Sequence, residues 1–221
     1  MSVAVITLTQ PMSAADITYD QGMGRWEPNA RGRLEQAALE LFIERGFEQA
    51  TVTEIAGRAG LTQRTFFRHF ADKREVLFWG QDALRELLVS TVASAPESAA
   101  PIDAVADAIA AAGTMLQDRR EHARQRQIVI DAHPELRERE LIKLAGLAAA
   151  MADALRKRGV SDPAASLTAE AGVAVFKIAF GRWLSEPGQA DLPRLTRESF
   201  DELKAVTAGN SHATEATHPG R

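Results

Sequence analysis

The sequence of 221 residues contains no cysteine. That excludes a disulfide scaffold, a cysteine-ligated zinc site and a thiol nucleophile, and it fits a cytoplasmic location. No apolar run approaches the ~18 residues that suggest a membrane span, so no membrane partner is expected. Residues 1–8 are apolar but lack the basic segment that precedes the core of a signal peptide. There is no G-x-S-x-G elbow, no Walker A loop and no G-x-G-x-x-G after a strand. His122 and His133 form neither an HExxH motif nor an i, i+4 pair, so both read as surface or loop histidines and no metal site is expected. No carboxylate pair is tied to a pocket by the sequence. The expectation is a protein that is not an enzyme and carries no cofactor. Alternating strand patterns and internal repeats are also lacking, so the fold class is all-α. With 45% hydrophobic and 25% charged residues, the chain is an ordinary globular one and long enough to bury a core.

The net charge of −4 excludes a globally basic nucleic-acid binder, but not a locally basic surface. Residues 23–74 hold nine Lys/Arg and seven Asp/Glu, a local +2 that leaves −6 for the remainder. Within that span, residues 55–71 carry three Arg and one His and no acid. Such asymmetry points to a two-part job.

Residues 1–28 show no persistent period and are broken by Pro11, Gly22, Gly24 and Pro28, so they read as an irregular leader, with Met12 and Met23 as alternative starts. Leu34, Ala37, Ala38, Leu41 and Phe42 then form one helical stripe that Gly46 ends. Thr51 and Glu54 form a capping box for a short second helix with Val52, Ile55, Ala56 and Ala59 inside. Thr62 caps a third over residues 63–69. Asp72 is expected to cap a fourth, long helix carrying Val76, Leu77, Ala83, Leu84, Leu87 and Leu88. Two short helices around a tight turn of Ala56, Gly60 and Leu61 are helix-turn-helix grammar.

The remainder is Ala-rich and helical. A loop over residues 93–101 separates two subdomains. Ile102, Val105, Ala106 and Ile109 open one helix. Residues 128–130 lie in another that Pro134 stops. Leu141, Leu144, Ala145, Ala148, Met151 and Leu155 form a stripe ended by Gly159. Asp162 and Pro163 open a helix apolar on two sides, one marked by Ala171, Val175 and Ile178, the other by Phe176, Phe180 and Trp183. Such a helix must be covered on both sides, and a partner subunit is the natural cover for the second. A last helix spans 193–207, followed by a polar tail.

The third helix carries the chemistry. Phe66 and Phe70 face the core, which leaves Gln63, Arg64, Thr65, Phe67, Arg68 and His69 outward. Arg can fork onto a guanine edge or a phosphate, Gln onto an adenine edge, and Thr suits phosphate oxygens. A short acid-free helix with this inventory suits an anionic groove.

The segment TVTEIAGRAGLTQRTFFRHFADKREVL (51–77), preceded by ALELFIERGF (38–47), closely resembles the DNA-binding domain of TetR-family transcriptional regulators. The likeness covers roughly residues 31–77. It implies a homodimer whose recognition helices enter successive major grooves of a palindromic double-stranded DNA operator, released by a small-molecule effector, and so a repressor. By position it places Thr53, Gln63, Arg64, Thr65, Phe67, His69 and Lys73 at DNA. Arg68, outward on the same helix, is read from its own chemistry as a phosphate contact. Phe67 stands where Tyr is common, so a hydroxyl contact to phosphate is missing, and the ring could press on a thymine methyl or sugar. Arg25, Arg31 and Arg33 are candidates for the minor groove or backbone, or for solubility alone.

The segment RQRQIVIDAHPELRERE (124–140), a following long helix and Trp183 resemble the subgroup whose C-terminal domain takes acyl-CoA-like ligands. The implied apolar tunnel draws on Met115, Ile128, Met151, Phe176, Phe180 and Trp183, and the implied phosphate contacts on Arg119, Arg120, Arg124 and Arg126. The expected organisation is an irregular leader (1–28), a three-helix helix-turn-helix DNA-binding domain (29–75), a helical-bundle ligand-binding and dimerisation domain (76–208) and a polar tail (209–221). The alternative is a helical dimeric module that binds a small molecule or protein without DNA. The acid-free run over 55–71 argues against it.

Overall fold

The computed structural model describes residues 29–188 and 190–209. The leader, with Met12, Met23 and Arg25, and the tail beyond residue 209 lie outside the described residues. Every regular element among the described residues is helical.

Helix α1 (Ala30–Arg45) starts at Asn29, whose side chain accepts from the Gly32 amide at 3.1 Å. It ends at Gly46, which sits at φ 86, a conformation that disfavours any side chain. Helix α2 (Val52–Arg58) opens with the expected capping box of Thr51 and Glu54. Helix α3 (Gln63–His69) opens with the Thr62 cap. The turn between them closes on a bond from the Leu61 amide to the Ala56 carbonyl at 2.8 Å, with Gly60 at φ 66.

The long fourth helix expected after Asp72 is not formed. The Asp72 carboxylate does accept from the Arg74 and Glu75 amides at 2.8 and 3.1 Å. What it caps is a 3-10 turn, Glu75–Phe78. The chain then breaks at Gly80, φ 88, before α4 (Gln81–Ser94). The reason is tertiary. Val76, Leu77 and Phe78 belong to the core built on α1, whereas Leu88 and Val92 belong to a second core, and one straight helix does not reach both.

Helices α5 (Pro101–Leu116), α6 (Arg120–Ala132), α7 (Pro134–Lys157), α8 (Asp162–Ser185) and α9 (Leu192–Thr207) complete the chain. Proline in the first turn of α5, α7, α8 and α9 uses a position whose N–H would have no partner inside the helix. Helices α4, α5, α7, α8 and α9 pack as a bundle around Val105, Ile109, Leu147, Met151, Leu155 and Phe200. Helix α6 contacts both α1 and α8. Its Val129 and Ile130, with Leu136 of α7, complete the core of the N-terminal unit.

One expected stripe needs correction. Leu144, Ala148, Met151 and Leu155 of α7 do face the bundle, but Leu141 is 57% exposed and Ala145 is also outside. On α8, Val175 is buried while Ile178 is 60% and Leu167 72% exposed. By length and composition α8 could cross a membrane. Here Ala165, Ala169, Val175 and Trp183 bury its inner faces.

Helices α5 and α8 approach closely at Gly172, where an added Cβ would lie 2.3 Å from Cγ1 of Val105. Gly172→Ala is therefore expected to lower the melting temperature, at about 1–3 kcal/mol for overpacking, although Ala is the better helix former. Thermal denaturation of Gly172→Ala with and without Val105→Ala checks this. The double substitution should recover much of the loss.

Candidate nucleic-acid interface and adjoining cavity

Helix α3 is fixed from beneath by two rings. Phe66 is fully buried and packs 5.4 Å from Phe70, also buried. Their i, i+4 spacing leaves Gln63, Arg64, Phe67 and Arg68 exposed on the outer face, and Thr53 of α2 is exposed as well. Gln63, Arg64 and Arg68 make no hydrogen bond or ion pair among the described residues. Phe67 is 50% exposed. Thr65 is half-buried and its hydroxyl lies 3.0 Å from that of Thr62. His69 is half-buried too. Its Nε2 is shut off from solvent without a partner, and burial, followed by the charges of Arg68 and Arg31, lowers its pKa from the ordinary 6.5.

The other cations of this unit are engaged within it. Arg45 pairs with Glu54 at 2.5 Å, Arg58 with Glu44 at 2.7 Å and Arg74 with Asp72 at 2.8 Å. Arg33 donates to the Ala59 carbonyl. Arg31 lies over the rings of Phe70 and Trp79. Lys73, expected at a phosphate, has its ammonium turned inward. It donates to the carbonyls of Phe47, Glu48 and Ala50 at 2.7, 3.2 and 3.4 Å and lies 4.3 Å from the Phe47 ring centre. Its three N–H donors are thus satisfied by the loop between α1 and α2, the reason it is not presented with Arg64 and Arg68.

Between this unit and the bundle lies a cavity of about 410 Å³. Leu84, Leu144, Phe176, Phe180 and Leu184 form its apolar wall. Its polar corner joins Glu35, Trp79, Arg119 and His122. Glu35 is buried on α1, on the same face as Ala38, Leu39 and Phe42. Both of its carboxylate oxygens accept from Nη2 of Arg119 at 3.0 Å. Nε2 of His122 lies 3.1 Å from Oε1, and facing a carboxylate that nitrogen carries the proton. The indole Nε1 of Trp79 is buried and short of a full hydrogen bond. Burial pushes the Glu35 pKa up. The bond from His122, the nearby Trp79 N–H and the charges of His122 and Arg119 outweigh that, and the net shift is down from 4.5.

Of the expected ligand residues, Met115, Phe176, Phe180, Arg119 and Arg126 line the cavity. Met151 and Trp183 do not, because both are fully buried in core clusters. Ile128, 62% exposed, and Arg124 lie on the outer side of α6. Arg120 instead donates to the carbonyls of Glu186 and Gly188, holding the loop after α8. Sequence reasoning missed Glu35, Trp79 and His122. Glu35 left a signal: a carboxylate on the apolar face of an otherwise regular amphipathic helix. His122 is not the surface histidine expected, because its neighbour at the i−3 position, Arg119, and Glu35 of α1 enclose it. His133 packs on Phe47 at 5.2 Å. With Glu48 and Glu135 it brings one donor atom each within 4.8 Å, but the Lys73 ammonium on the same Phe47 ring opposes a cation there.

Comparison with known proteins follows this division. The profile of bacterial regulatory proteins of the tetR family matches residues 35–78, and that of the MftR C-terminal domain matches residues 99–208. The HTH-type transcriptional regulator TcmR of Streptomyces glaucescens is 38% identical over 81 residues, 37% of this chain and 36% of that protein. The transcriptional regulator MftR of Mycobacterium tuberculosis is 28% identical over 129 residues, 58% of this chain and 65% of that protein. The chain thus spans about a third of the first relative and just under two thirds of the second. The transcriptional regulator FadR of Bacillus subtilis, solved in complex with stearoyl-CoA, superposes with a TM-score of 0.56 at 19% identity, covering 78% of this chain and 96% of that one. At that identity the likeness is one of fold.

The Glu35 geometry sets a pH dependence. A glutamate with a lowered folded pKa contributes stability that is present above its unfolded pKa and is lost as pH falls through the folded value. Glu35→Gln should therefore be less stable than wild type at pH 7, and the gap should close below pH 4.5. Urea midpoints of both proteins across that range check this. A gap that stays constant with pH would contradict it.

Proposed function

This chain belongs to the TetR family of bacterial regulatory proteins, and we propose that it is a ligand-responsive, DNA-binding transcriptional repressor that works as a homodimer in the cytoplasm. The observation that carries this reading is the outer face of α3. It presents Gln63, Arg64 and Arg68 without internal partners, while the other cations of the same unit are engaged. Gln63 and Arg64 read base edges in the major groove, Phe67 packs on a thymine methyl or sugar, and Arg68, Thr53 and Thr65 hold the phosphates. His69, neutral and half-buried, completes that end of the helix. Lys73 acts on this interface indirectly, by fixing the loop between α1 and α2.

The exposed Leu167 and Ile178 of α8 and Val206 of α9 are the surface a second copy covers. The cavity, within the size range of small-molecule sites, takes a hydrophobic or acyl-CoA-like effector against Met115, Phe176 and Phe180. Effector and operator favour different spacings of the two recognition helices, so the effector relieves repression only through its differential affinity for the two states.

Selection of bound sequences from a random duplex pool tests the reading. A palindrome with half-sites about one helical turn apart is expected. No enrichment at low salt, where phosphate contacts are strongest, would sink it. On the recovered operator, Arg68→Ala should weaken all sequences alike and reduce the salt slope by about 1. Gln63→Ala or Arg64→Ala should cost about 1–3 kcal/mol and relax specificity at one position. Lys73→Ala should lower the melting temperature, which the three α3 substitutions should leave near wild type. Fluorescence anisotropy at several salt concentrations, with thermal denaturation of each variant, separates these outcomes.

A further inference from the structure

We propose that Arg119, His122 and Trp79 form the seat for the anionic head of an amphiphilic effector, and that the Glu35 carboxylate fills this seat until the effector displaces it. The inference rests on the reading of the cavity as the effector site. All four residues line that cavity. The seat is a set of donors converging on a carboxylate: Nη2 of Arg119 at 3.0 Å from both oxygens and Nε2 of His122 at 3.1 Å from one. A third donor, the buried Nε1 of Trp79, faces the same carboxylate but falls short of a full hydrogen bond to it. A buried donor whose bond is incomplete gains from an acceptor that can approach it fully. An external carboxylate or phosphate, free of the α1 backbone, can meet all three.

Charge selects the sign of the head. The acids of the cavity are already engaged: Glu35 as above, Glu140 with Arg126 at 3.0 Å, and Asp131 with the Gln127 amide at 2.9 Å. A cationic head would have to break one of these pairs. On the other side, Lys177 lines the same cavity with no hydrogen bond or ion pair among the described residues. Leu84, Leu144, Phe176, Phe180 and Leu184 offer the apolar wall for the tail.

Two carboxylates do not share one seat while both are charged. Entry of the effector head therefore expels Glu35, and Glu35 belongs to α1, in the DNA-binding unit. Its departure removes the ionic tie between α1 and the start of α6. The effector thereby acts on the recognition helices without touching them. Differential affinity is built in, because the seat is vacant only in the displaced state.

Isothermal titration calorimetry with three probes of one chain length tests this: decanoate, decanol and decyltrimethylammonium. Wild type should bind decanoate about tenfold more tightly than either of the others, the scale of a charge-assisted contact. Glu35→Gln, which has no carboxylate to expel, should bind decanoate about tenfold more tightly than wild type and decanol equally well. His122→Gln should lose the preference for decanoate while retaining decanol. Equal affinity of wild type for decanoate and decanol, or tighter binding of the ammonium, overturns the seat and leaves the cavity as an effector site. Decanoate affinity unchanged in Glu35→Gln overturns displacement. Failure of all three probes to bind overturns both the seat and the effector reading of the cavity. The wild-type comparison needs no variant, so the test stands even where a substitution impairs folding.

Discussion

A carboxylate taken out of water needs partners, and the partners of Glu35 come from outside its own helix. Arg119 and His122 stand at the junction of α5 and α6, 84 residues from Glu35 in the case of Arg119. The pairing fixes the roll of α1 and thereby the position of everything built on it: the loop that Lys73 fastens, the α2–α3 turn and the outer face of α3. Two further ties work in parallel. Arg126 of α6 donates to the Leu77 carbonyl and pairs with Glu140, while Arg139 and Lys143 of α7 hold Glu75. The connection between the two units is thus polar and directional, laid over the apolar contact of Val129, Ile130 and Leu136 with the first core. Paired charges of fixed geometry define a small number of relative positions of the two units.

The same economy of charge explains the outer face of α3. A chain of net charge −4 repels a polyanion at long range, so any surface suited to one has to be local. Locally, Glu40, Glu44, Glu54 and Asp72 lie beside their own arginines rather than beside α3. What remains outward is a helix without acids. Its two guanidinium groups and one carboxamide stand on a base of Phe66 and Phe70 that permits little movement. Rigid presentation of this kind limits the side-chain entropy lost when an interface forms.

Much of this could be read from residue order because it is local physics. The capping box of Thr51 and Glu54, the Thr62 cap, the left-handed Gly46 and Gly60 and the prolines that open α5, α7 and α8 act within four residues of themselves, and the helices begin and end where those residues stand. The failures have one cause. The expected helix after Asp72 has good helical spacing, but Val76 and Leu88 are claimed by different cores, so the chain breaks at Gly80. Met151 and Trp183 have the chemistry of a pocket and the spacing of a core, and packing chose the core. Leu141 fits its stripe by period and still faces out. Lys73 has the position of a phosphate contact, but three carbonyls of a neighbouring loop are within its reach.

The sequence by itself determined the short helices around the turn, the helix-turn-helix, the family and the two rings that α3 turns inward, because capping, periodicity and the 3.6-residue turn are fixed by neighbours along the chain. The tertiary structure alone decided where the cavity lies, which of the candidate side chains line it and what becomes of the odd carboxylate on α1. Those outcomes depend on residues far apart in sequence competing for the same space and the same charge. A buried Glu looks like any other helical Glu until the fold shows which donors reach it.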